Sequence, residues 1–309
     1  MKESRTVRQI VFPLLAAFIW GTAFAAQDIC ADHIGAFTYN AMRSYIAVAV
    51  LPVVLLLFNV FRREGKPAIT PAEKKAERKH LLIGGICCGT ALTAASVFQQ
   101  AGIVLGTEGG KAGFLTALYI VLVPIAGVFL KKRVSLSVWI GALLGAAALY
   151  LLCIKGDFTV DKGDLLVIAC SVCYTAHIYV IDYFVAKVDG IKLSLAQFAA
   201  LAVWSTLGML LLEHPSWDAV RACILPLLYV GVFSSCGAYT LQILAQKGTN
   251  PTVVTILLST ESVFAVIAGA VLLHQRMTVR EYIGCVLMLA AVVLAQITFP
   301  KRKGTDISV

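Results

Sequence analysis

Charge is scarce in this chain. Only 14% of its 309 residues are Asp, Glu, Lys or Arg, while 59% are hydrophobic and the mean hydropathy is +0.85. A soluble domain has about 25% charged and 45–50% apolar residues. The apolar runs also lack the polar face that a core helix turns to water, which excludes a soluble globule. Metal-ligand spacing is missing: His33, His80, His177, His214 and His274 are scattered. There is no phosphate-cradling glycine loop of the P-loop type and no domain large enough for ATP. A sizeable soluble receptor domain is likewise lacking. The nine cysteines are odd in number and mostly lie within apolar runs, so Cys170-x-x-Cys173 reads as a pair of small packing residues. Ten-residue alternation of the β-barrel kind is absent.

What the chain does have is a series of apolar runs, each long enough for a hydrocarbon layer of about 30 Å. Ten spans are expected, roughly at 10–27, 36–60, 81–102, 112–130, 134–153, 164–186, 193–212, 222–246, 251–273 and 279–298. In lipid they must be helices, because each segment has to satisfy its own backbone polar groups. The charged start and the Ala-Phe-Ala-Ala stretch near residue 23 resemble a secretory leader, but the run is long for one and is read as the first span. The one long loop, 61–80, carries Pro67, Pro71 and mixed charges and reads as a solvated connector with a short helix after Pro71.

The net charge of +9 reflects topology, not nucleic-acid binding. With the N-terminus inside, nineteen Lys and Arg residues fall on the inner side and six on the outer. That bias fits an even number of spans with both ends cytoplasmic. Within this frame the chain repeats itself. Residues 111–135 and 254–278 share an apolar span, a basic turn and a second span opening near glycine, with Arg133 over Arg276 and Gly141 over Gly284. Span one lies over span six at an offset of 154 and later spans at 143, and the difference falls at the long loop. The expectation is an all-α integral membrane fold of two five-helix repeats, 10–153 and 164–298, with tails 1–9 and 299–309. Five is odd, so the repeats enter the membrane with opposite topology, the arrangement of many secondary transporters.

The segments FIWGTAFAAQD, AMRSYIAV, FQQAGIVLGTEGGKAGFLTALYIVLVPI and LQILAQKGTNPTVVTILLSTESVF, in this order, resemble the EamA-type branch of the drug/metabolite transporter superfamily over about residues 10–298. The resemblance implies a ten-helix inner-membrane transporter, commonly an exporter of metabolites, amino acids or drugs. It also implies a central cavity lined by the first four helices of each half, with spans five and ten peripheral. Two departures stand out. Lys132 and Gln275 occupy the family's glutamate positions after spans four and nine, which removes an acid at either turn from the mechanism. In span nine Glu261-Ser262 stands where the family has glutamate-proline, so the usual kink-former is gone.

Intramembrane charges are costly and mark function by default. Arg43, which matches the family's arginine in span two, has two readings: a side chain snorkelling to the interface, or an anchor for an anion or an ion pair across helices. Glu261, at mid-depth, must be paired, hydrated or protonated, and so is a candidate coupling group. Proton or cation coupling competes there with a structural hydrogen bond or a watery vestibule. Tyr174 and His177 share a face of span six, with Asp182 nearer the interface and expected to be solvated. Span eight has a polar stripe at helical spacing, Ser235, Tyr239, Gln242 and Gln246, and span three another with Thr93, Ser96, Gln99 and Gln100. Trp20, Phe24, Thr116 and Tyr119 supply an apolar and aromatic wall. Gly84, Gly85, Gly89 and the Gly141–Gly145 pair have close-packing spacing, serving helix contacts or a homodimer.

The function expected is a gradient-driven secondary carrier of small organic solutes that needs no cofactor and no metal, and is not an enzyme. Its partners are a small-molecule substrate and the bilayer, with no nucleic acid, as a monomer or homodimer. One arginine, one carboxylate and polar amides suit a zwitterion such as an amino acid. The alternative is a membrane-embedded enzyme or lipid-processing protein, for which Asp28, Asp32 and His33 are the one candidate cluster.

Overall fold

The computed structural model describes residues 7–61, 70–132, 134–154, 159–272 and 277–297. The expected tails other than residues 7–9, the connector 62–69, and the turn residues Arg133, His274, Gln275 and Arg276 lie outside them. Among the described residues every regular element is helical. After a π-helical turn at Val7–Val11 come α1 (Phe12–Ala31), α2 (Ala36–Phe61), α3 (Pro71–Val104), α4a (Gly109–Thr116) and α4b (Tyr119–Phe129), and α5 (Leu136–Cys153). The second half has α6 (Lys162–Val185), α7 (Gly190–Leu212), a short helix Trp217–Ala222, α8 (Ile224–Gln246), α9a (Pro251–Leu258) and α9b (Glu261–Leu272), and α10 (Val279–Ile297). Nine of the described spans are long and apolar enough to cross a bilayer, with Pro251–Ile267 a shorter apolar helix. This is an all-α integral membrane fold built from two five-helix repeats of opposite sense.

Local chemistry sets the helix ends. Thr70 and Glu73 form a reciprocal capping box with Pro71 in the first turn, so α3 starts at the base of the connector and runs without a break into the membrane. Its far end closes through Gly106 at φ +98°, with the Thr107 amide donating to the Gly102 carbonyl at 3.0 Å. A left-handed glycine satisfies the last carbonyls in this way. The second repeat places Gly248, at φ +75°, after α8. The end of α4b makes the same turn on Lys131, at φ 55°.

The fourth and ninth spans are both interrupted in mid-course. In the fourth, the break at Ala117–Leu118 comes one turn before Ile120, whose carbonyl Pro124 cannot serve as donor. The ninth has no proline beyond Pro251 in its first turn, yet it breaks at Ser259–Thr260. The loss of the kink-forming proline therefore does not straighten it. Here hydroxyls compete with the backbone: Thr255 donates to the Thr252 carbonyl at 2.8 Å, Ser259 to Thr255 at 2.9 Å and Thr260 to Leu257 at 2.7 Å.

Packing crosses between the halves. Gly85 and Gly89 of α3 face Ala196 and Ala200 of α7. The fifth helices of the two repeats, α5 and α10, lie against each other: a Cβ on Gly141 would stand 3.0 Å from the Ala291 carbonyl, and one on Gly145 would meet Ile120 and come within 3.8 Å of Ala291. The G-x-x-x-G stripe is thus filled from within the chain.

Candidate functional site

A small cavity of about 40 Å³ lies where the two broken spans meet α1, α2, α3, α6 and α8. Its walls carry Trp20 and Phe24 from α1, Arg43 from α2, Gln99 from α3, Thr116 and Tyr119 from the fourth span, Tyr174 from α6, Tyr239 and Gln242 from α8, and Glu261 from the ninth span. Gln99 and Gln242 occupy the same place in the two repeats. Gln99 donates to the Thr116 hydroxyl at 2.8 Å.

Arg43 points into the bundle and is 4% exposed, so it does not snorkel. Its Nε donates to Asn40 Oδ1 at 3.0 Å and its Nη2 to Ser96 Oγ at 2.9 Å. The guanidinium carbon stands 5.4 Å from the Tyr39 ring centroid and 5.9 Å from that of Tyr239. Tyr239 also packs edge-on against Trp20 at 4.9 Å and exchanges a 2.9 Å hydroxyl contact with Tyr174. Glu261 is the first residue of α9b. It is 4% exposed and has no hydrogen-bonding or ionic partner among the described residues. Arg43 and Glu261 therefore share a cavity without pairing.

Four residues expected at the site lie behind its walls. Gln100 donates to the Gln27 carbonyl at 3.1 Å. His177 Nε2 stands 3.0 Å from Gln197 Oε1, and Gln246 reaches the Ile178 carbonyl at 3.5 Å. Ser235 is fully buried, and Ser234 takes the cavity position instead. The cause is local: Val230–Ala238 is π-helical, which shifts the facing residue from the one that 3.6-residue periodicity selects. The cavity also includes Gln27, Ile178 and Leu258. Gln27 continues the face of Trp20 and Phe24 at i+7, a spacing readable in the sequence. Ile178 follows Tyr174 by four. Asp182 is not merely solvated, since Lys132 donates to it. Asp28, Asp32 and His33 do not join in a group able to hold a metal among the described residues.

A profile of the EamA-like transporter family matches this sequence twice, over residues 8–154 and 161–296. The chain belongs to the EamA-like transporter family. This family lies within the drug/metabolite transporter superfamily, and the chain is a multi-pass membrane transporter. It is 28% identical over 296 residues to an uncharacterized transporter of Archaeoglobus fulgidus, an alignment covering 92% of this chain and 84% of that one. A crystal structure shares the fold with a TM-score of 0.75 at 20% identity, over 94% of this chain and 96% of that one.

In this EamA-like transporter, charged links join the halves at both membrane faces. Lys111 at the start of the fourth span donates to Asp164 on α6, which also accepts from Thr107 at 3.0 Å. Lys132 at the other end of that span pairs with Asp182 on the same helix α6. Glu213, at the end of α7, accepts from the amides of Phe37 and Thr38 at 2.9 and 2.7 Å, capping α2 across the repeat boundary. Lys192 meets Glu77 at 3.1 Å.

Proposed function

We propose that this transporter is a secondary carrier that exports small organic metabolites, amino acids or drugs from the cytoplasm, with Glu261 as its proton-carrying group. The observation that carries the reading is a buried carboxylate with no hydrogen-bonding or ionic partner among the described residues, at the break of a discontinuous span, lining a cavity formed by both halves. A carboxyl held there exchanges its proton with whichever side the cavity opens to, and neutralisation lowers the cost of moving it through lipid. Inverted repeats supply the two alternating states. Export, and an inner or plasma membrane with both termini cytoplasmic, rest on the family resemblance and the charge bias of the loops. The chemistry is carriage, not catalysis.

The test is flux in inverted vesicles with and without an imposed pH gradient. Glu261→Gln is expected to lose at least ten-fold of the gradient-driven flux. Unchanged pH-driven flux in that variant would remove Glu261 from coupling, and no solute flux in the wild type would remove the carrier reading.

A further inference from the structure

The guanidinium of Arg43 is surrounded by neutral groups. Asn40 and Ser96 accept from it, and the Tyr39 and Tyr239 rings flank it. Among the described residues no carboxylate lies within ion-pair distance, although Glu261 lines the same cavity. An arginine this buried is costly unless an anion meets it. Its direction is also fixed. Asn40 Nδ2 donates to the Ala36 carbonyl at 2.8 Å and to the Ser96 carbonyl at 3.2 Å. That pins the amide so that Oδ1 is the atom left to face Arg43. Ser96, on α3, holds the same guanidinium from the neighbouring helix. The side chain is a preset fork, and a fork recognises a planar pair of oxygens.

We propose that Arg43 is the anion subsite of the cavity, that it takes a carboxylate of the carried solute, and that Asn40 and Ser96 are its positioning residues. The charge count selects a carboxylate over a phosphate. The cavity holds one cation and one acid, and a phosphate group bearing about two negative charges would leave excess negative charge in a site shielded from water. This rests on the reading of the cavity as the solute site of a carrier.

The test is thermal unfolding of the purified full-length protein with matched probes that differ only in the anion: leucine against leucinamide, phenylalanine against phenylalaninamide, 3-phenylpropanoate against its amide, and inorganic phosphate alone. Whatever binds the folded state raises the unfolding temperature by mass action. At least one acid is expected to raise it while the matched amide does not. Arg43→Gln should abolish the acid's shift. Arg43→Lys, which keeps the charge but not the fork, should weaken apparent affinity ten-fold or more. Asn40→Ala and Ser96→Ala should narrow the acid-over-amide preference, a readout that a purely structural role would not move. Equal shifts by acid and amide, a shift by phosphate alone, no shift by any acid, or a preference that survives Arg43→Gln would each overturn the assignment. If Arg43→Gln does not fold, the wild-type comparison and Arg43→Lys still decide. Acid binding without any solute flux sinks the carrier reading and leaves the subsite standing; flux without acid preference does the reverse.

Discussion

Gly21 and Glu261 meet backbone to backbone. A Cβ on Gly21 would collide with the Glu261 carbonyl and would stand 3.0 Å from the Ala265 amide nitrogen. The first helix thus crosses the ninth span at its break, and the absent side chain is what allows the approach. Gly21→Ala is expected to cost about 1–3 kcal/mol of stability through overpacking, measured as a lowered unfolding temperature in detergent. An unchanged unfolding temperature would mean that the two helices are not this close.

Lys131 holds a left-handed backbone at φ 55° in the turn closing α4b, with the next amide, that of Lys132, donating to the Gly127 carbonyl at 2.8 Å. Most side chains pay about 1–2 kcal/mol there and glycine does not. Lys131→Gly should therefore raise stability by roughly 1 kcal/mol, read from thermal or denaturant unfolding. A loss of stability would contradict the turn geometry.

The two ion pairs that fasten the fourth span to α6 differ in burial. Asp164 is 1% exposed and has several donors, whereas Lys132 and Asp182 are 36% and 22% exposed. Asp164→Ala should cost about 2–3 kcal/mol, because it leaves buried donors unserved. Asp182→Ala should cost at most about 1 kcal/mol. Parallel unfolding curves check this, and equal losses would refute the ranking.

The π-helical stretch of α8 makes a register prediction. In a variant stripped of its native cysteines, Ser234→Cys should react with a small water-soluble thiol reagent and Ser235→Cys should not. The reverse order would restore ordinary helical periodicity to Val230–Ala238.

The fold was largely legible because lipid imposes length and charge placement on every span. The limits of that legibility have physical causes. Ser234 and Ser235 are adjacent polar residues of one kind, and nothing in their composition signals a widened turn. Only the backbone path tells which one faces the cavity. The ladder of Thr252, Thr255, Ser259 and Thr260 could have signalled the break in span nine once proline was gone, because side-chain hydroxyls are known competitors of helix amides. Gln27 followed Trp20 and Phe24 on one face and was readable. The Lys111–Asp164 and Lys132–Asp182 pairs were not, since pairing between distant segments leaves no local mark. His177 and Gln246 share the right faces by spacing, but depth behind Tyr239 and Ile178 separates them from the cavity.

The contact between α5 and α10 bears on how the chain is made. The glycine stripe of α5 at Gly141 and Gly145 meets Ala291, a residue of the last helix. The fifth helix thus enters the bilayer long before its partner is synthesised and must wait with that stripe facing lipid or insertion machinery. Neither repeat closes its own seam, so this contact forms only once the ribosome has delivered α10. A truncation that removes α10 would leave a vacancy against α5, a helix laid down long before it.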